Sequence, residues 1–177
     1  MKDPTVQSNQ VEQLAAIEAF ERETGYDATY MKEMLKYAPA ALSIFNHFIP
    51  MASHREHAPL LQYYVAKLTA YRHCDCGPCF QLALDMAKHE EVPVSIRKAI
   101  AFEKGTLPPD LQRVRSFTLA VLRNDPSYEE HRRALESEIG KAAVIEIAMT
   151  IAASQVFPVV KRAMGHYKSC SIVTVEL

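Results

Sequence analysis

The chain has 177 residues, 49% of them hydrophobic and 23% charged, with 20 basic side chains against 21 acidic ones. That length suits one compact domain with a sizeable core, and a net charge of -1 without a long basic run excludes an electrostatic case for nucleic acid. The longest apolar stretch, Ile147 to Val160, is broken by Thr150, Ser154, Gln155 and Pro158, which reads as too short and too polar for a membrane. Met1-Lys2-Asp3-Pro4 lacks the apolar core of a secretion signal, so cytoplasmic residence is the default expectation.

The punctuation predicts an all-α protein. A first helix fits Asn9 to Glu23, with Val11, Leu14, Ile17 and Phe20 on one broad apolar face and Gly25 just past its end. Asp27 is placed to cap a second helix through Tyr37, and Pro39 to open a third that runs to about Ile49. A fourth, Pro59 to Tyr71, is so rich in aromatic and aliphatic residues that burial on most sides is expected. The cysteine-bearing sequence follows, then a helix to about His89. Ser95 is placed to cap the next, which stops at Gly105.

Pro108-Pro109-Asp110 starts a further helix carrying Leu111, Val114, Thr118, Val121 and Leu122 at helical spacing, ended by Asn124-Asp125-Pro126. Ser127 and Glu130 form a capping-box pattern for a helix to Ile139. The last long helix spans about Lys141 to Met164, with Gly165 as its stop and Pro158 expected to kink it. Glu146 and Gln155 on this apolar helix are expected to pair with Arg or Lys from a neighbour. The tail, Ser171 to Leu177, alternates like a strand and is free to stay loose or pair with another subunit. In all, the pattern gives a single domain over residues 1–177 with eight or nine helices.

Glycine scarcity narrows the chemistry. There are five, Gly25, Gly77, Gly105, Gly140 and Gly165, too dispersed for the clustered glycines of a dinucleotide fingerprint or phosphate loop. No cofactor is therefore expected. The cysteines are the opposite case: Cys74, Cys76 and Cys79 fall in six residues, with Cys170 far away. In a reducing compartment such clustering reads as redox chemistry or metal binding rather than structural disulfides.

The segment His73-Cys74-Asp75-Cys76-Gly77-Pro78-Cys79 places Gly-Pro where a helix begins, because proline costs nothing in the first turn. Cys76 then lies near the cap and Cys79 in the first turn, where the helix N-terminus favours thiolate over thiol. A dithiol so placed can exchange two electrons through a disulfide. Ordinary buried cysteines are the plain alternative. A zinc site built from Cys74, Cys76, Cys79 and His73 or His89 is the other. Cys-Gly-Pro-Cys also occurs in thioredoxin after a central strand and a tryptophan, but this chain has no tryptophan and a helical pattern precedes the motif. That fold is excluded while the chemistry is kept.

A dithiol opening a helix behind a buried helix resembles the carboxymuconolactone decarboxylase and alkylhydroperoxidase D-like family. The order continues through Leu111 to Leu122, Asn124-Asp125-Pro126, Ala143 to Ile147 and Val159 to Gly165, so the likeness covers about residues 30 to 168. It implies an all-helical fold assembling as a homo-oligomer, a dimer, trimer or hexamer. It further implies peroxidase activity, in which Cys79 is the attacking thiolate and Cys76 is its proton partner and closes the disulfide. A thiol-redox partner protein is an expected electron donor. Decarboxylating members generally lack the dithiol, which argues against lactone decarboxylation here.

Two departures from the family stand out. Its histidine four residues after the second cysteine is Ala83 here, and its glutamate twelve residues before the first is Tyr64. A positioned base is worth roughly 10²–10⁴-fold, so candidate substitutes matter. Tyr64 or Tyr63, His73 and Cys74 are the auxiliary candidates, while Asp85 should face away from Cys79. The absent pair also leaves open a non-catalytic or ligand-binding member of the family.

Overall fold

The computed structural model describes residues 4–166, with side chains from Gln10 onward; Cys170 and the strand-like tail lie outside the described residues. Among them the chain is all-α, with nine helices and no strand. In chain order these are α1 (Pro4–Thr24), α2 (Thr29–Tyr37), α3 (Pro39–Ser53), α4 (Leu60–His73), α5 (Gly77–His89), α6 (Val94–Ala101), α7 (Pro109–Leu122), α8 (Tyr128–Ile139) and α9 (Lys141–Ala163).

The centre of the fold is α4. Tyr63 through Tyr71 are all buried, so it is covered on every side as its composition predicts. It packs chiefly against α7 and α9, and also meets α5 and α6. Leu111, Val114 and Thr118 are the buried part of the α7 stripe. Removing such a helix from water is the main stabilising term, at about 25 cal/mol per Å² of apolar surface.

Long apolar α9 has the length and composition of a membrane-crossing helix. It is instead a core helix here, packed on α4, α3 and α8 and burying Glu146, Thr150, Ser154 and Lys161. It runs unbroken through buried Pro158, and Gly165 takes a positive φ just past its end.

Several local expectations are corrected. The first helix begins at Pro4 rather than Asn9, and its apolar face is only half used: Ile17 is buried, but Val11 is 69% exposed. The third helix passes Ile49 and continues through Pro50 to Ser53. Its last-turn carbonyls lack partners within the helix, and the Ala52 carbonyl finds two outside it: Tyr63 Oη donates at 3.1 Å and Lys67 Nζ at 3.0 Å.

Neither serine cap forms. Ser95 lies inside α6, which starts after Pro93 and ends at Ala101, ahead of Gly105. Ser127 precedes α8 without a side-chain cap bond, and its N–H is held by Asp125 Oδ1 at 2.9 Å. Asp27 does act at the start of α2, accepting from the Thr29 N–H at 3.1 Å.

Glu146 finds a different partner from the one its sequence setting suggests. Its buried carboxylate accepts the backbone N–H groups of Glu56, His57 and Ala58 at 2.7–3.1 Å, closing the α3–α4 loop onto α9. Burial alone would raise its pKa, but these N–H donors together hold it below the ordinary carboxylate value.

Candidate functional site

The α4–α5 hairpin builds the site. His73 ends α4, Cys74 caps it, Asp75 turns the chain with φ 52°, and Cys76 is the residue before α5. The Phe80 N–H bonds the Cys76 carbonyl at 2.9 Å, the first bond of the new helix. Gly77 and Pro78 occupy its opening positions, as the motif predicts. Cys76 and Cys79 are 1% and 3% exposed, and all three described cysteines are free.

The two sulfurs meet. The Cys79 thiol is hydrogen-bonded to Cys76 sulfur, which favours a thiolate at Cys76; burial opposes it, while the Cys79 backbone N–H, Lys161 and Arg162 add to it. The Cys76 thiol is thereby brought down to about 7. Cys79 is pushed strongly upward by that same bond, by burial and by the neighbouring negative charge. When the pair ionises, the charge is therefore favoured on Cys76, with the shared proton on Cys79.

Three buried tyrosines and a buried lysine surround the pair. Tyr26 Oη lies 3.7 Å from Cys79 Sγ, reaching it from the α1–α2 loop. Tyr30 and Tyr71 are electrostatically coupled to Cys79, and burial pushes all three phenols upward, so they stay neutral. Lys161, 2% exposed on α9, donates to the Asp27 carbonyl at 3.0 Å and sits 4.4 Å above the Tyr26 ring. Its ammonium favours the ionised form of both cysteines. Arg162, one residue on, donates to the Cys74 carbonyl at 2.6 Å and ties α9 to the hairpin.

Cys79 forms part of the wall of a cavity of about 530 Å³ between α1, α3, α4 and α5. Ala83, where the family histidine would stand, lines the same space one turn along from Cys79. The small side chain leaves room there instead of a base.

The auxiliary candidates fare unevenly. Tyr64 is buried, but its electrostatic neighbours are Glu90, Tyr63 and Arg55; burial raises its phenol to about 12. The α4 tyrosine coupled to the dithiol is Tyr71, two turns further on. His73 is exposed and held down by partial burial and by Arg123. Cys74 is half-buried, its thiol raised by burial against the pull of Arg162. Asp85 is exposed and accepts from Gln81 Nε2 at 2.9 Å, as expected for the outer face. Among the described residues no group of three or more His, Cys, Asp or Glu side chains is arranged to hold a metal ion.

Lys161 and Tyr26 are the neighbours that sequence reasoning missed. Lys161-Arg162 reads as the basic last turn that suits any helix C-terminus. Its one distinguishing signal is position, on the buried side of an otherwise apolar helix. No family model, no curated protein and no solved structure matches this chain.

Proposed function

We propose that this chain is a thiol–disulfide oxidoreductase with peroxidase activity, of the alkylhydroperoxidase D-like kind. The observation that carries the reading is the Cys79 thiol hydrogen-bonded to Cys76 at the start of α5 while Cys79 itself borders an open apolar cavity. Cys76 thiolate is then the base that accepts the Cys79 proton as Cys79 attacks. This division suits a site without the family histidine, because the second sulfur does the work of the missing base.

In the reaction, Cys79 sulfur attacks the outer peroxide oxygen, the O–O bond breaks, and Cys79 becomes a sulfenic acid as the alcohol leaves. Cys76 then attacks the Cys79 sulfur, forming the disulfide and releasing water. Starting from the monoanionic dithiol, the sum consumes one hydroperoxide and one solvent proton and yields alcohol, water and disulfide. An external dithiol, small or on a partner protein, restores the pair by exchange.

One equivalent of cumene hydroperoxide should convert the reduced protein to a form lighter by two hydrogens, with Cys76 and Cys79 joined in one cross-linked peptide. Cys79→Ser should abolish peroxide consumption, and Cys76→Ser should stop at the sulfenic acid. Full turnover by Cys79→Ser would end this reading. A second reading, a ligand-binding member of the family without catalysis, draws on Ala83 and Tyr64 standing where histidine and glutamate are expected and on the apolar character of the cavity. Thiol titration separates the two, since only a redox site needs a cysteine well below the reference of about 8.5.

A further inference from the structure

The cavity that reaches Cys79 also contains a charge that the dithiol chemistry leaves unused. Lys67, on α4, is 3% exposed and lines the cavity one helical turn before Tyr71, which lines it too. An ammonium has three donors to satisfy. One goes to the Ala52 carbonyl at 3.0 Å, and the Tyr63 and Tyr64 rings lie 5.5 and 5.9 Å away. Among the described residues no carboxylate pairs with it, and its acidic electrostatic neighbour, Glu90, is exposed. Burial accordingly lowers its pKa to about 8.

A buried cation in an apolar space is costly unless something of opposite charge joins it. The rest of the wall is largely hydrocarbon and ring, including Ile17, Phe20, Leu82, Met86 and Phe157. Its volume of about 530 Å³ is that of a small-molecule site. One buried cation in an apolar chamber is the pattern that fixes a ligand with a single polar end.

We propose that the cavity binds an apolar monocarboxylate, its carboxylate on the Lys67 ammonium and its hydrocarbon body along the chamber toward Cys79. Resting on the peroxidase reading, this names the substrate class: an organic hydroperoxide that carries a carboxylate at the end remote from the reacting oxygen. Tyr71 bridges the two ends, lining the cavity beside Lys67 and coupled electrostatically to Cys79. Ala83 keeps the passage next to Cys79 open.

Calorimetric titration with decanoate and with decanol, equal in chain length and different in charge, tests the site. The wild-type protein should bind decanoate at least tenfold more tightly than decanol. Lys67→Met should erase that preference while still binding decanol, which shows that the chamber survives, and Lys67→Arg should retain much of it. Cys79→Ser should leave decanoate binding in place, so a failure of the redox reading would not remove the site. Equal affinity for the two ligands in the wild type, or an undiminished preference in Lys67→Met, would overturn the proposal.

Discussion

Lys161→Met isolates the one buried cation that faces the dithiol. Methionine conserves much of the volume, and replacing a buried charge by a packed apolar side chain is often neutral or stabilising. Nζ is 4.4 Å from the Tyr26 ring centroid, and the Tyr26 hydroxyl is 3.7 Å from Cys79 Sγ. The ammonium thus stands on the order of 10 Å from the pair, where a unit charge at an effective dielectric of about 20 is worth about 1.7 kcal/mol, roughly one pKa unit. The Cys76 thiol, at about 7 in the parent, should therefore titrate near pH ~8 in the variant.

The sign follows from the acid: thiolate accumulates as pH rises through the pKa, so removing a cation displaces the curve to higher pH. At pH ~7 the ionised fraction should fall from about half to about a tenth. Ultraviolet absorbance of the thiolate against pH reads this directly without any reagent entering the site. Circular dichroism establishes that the variant is folded. A folded variant whose titration coincides with the parent's would refute the electrostatic role given to Lys161.

Glu146→Ala should cost about 2–4 kcal/mol in urea unfolding, because it strips the α3–α4 loop of a charged acceptor for three N–H groups. Since the folded carboxylate is held below its unfolded value, the parent's advantage should be full above pH ~5 and shrink as acid protonates it; an advantage that grew in acid would contradict this. Ala83→His puts an imidazole into the cavity one turn from Cys79, but with Cys76 already serving as the base, peroxide turnover in a folded variant should change by less than about tenfold; a rise of about 10²-fold, the lower end of what a positioned base supplies, would show that the site lacks a working base. The exposed Val11, Tyr37, Ile44, Ile145 and Val159 should be partly covered by self-association, so light scattering at micromolar protein should find an oligomer and not a monomer.

The periodicity of apolar residues and the placement of glycine and proline were enough to read eight or nine helices, and Gly77-Pro78 located the start of α5. What the sequence left hidden was anything decided by a competitor. Ser127 fits a capping box, but Asp125, two residues earlier, holds the N–H that shapes that turn. The third helix, expected to end near Ile49, continues to Ser53, where Tyr63 and Lys67 come across to the Ala52 carbonyl. Glu146 suggests a basic partner in one dimension and meets backbone amides in three. The site divides in the same way. Two cysteines in one short motif are visible in any reading, whereas Tyr26 lies 53 residues away from Cys79. Lys67 and Lys161 are spelled like surface lysines, since a one-dimensional pattern does not show that rings will close over them.

Keeping one sulfur of the pair protonated while the other ionises near neutrality alters the proton stoichiometry of reduction. Below pH ~7 the disulfide takes up two protons with its two electrons, so its midpoint potential should fall by about 59 mV per pH unit; above that point it takes up one, and the slope should halve to about 30 mV. A compartment that grows more alkaline would therefore raise the reducing power of this centre more slowly than that of any dithiol whose thiols both remain protonated. The direction of electron flow between two such couples then becomes a function of local acidity.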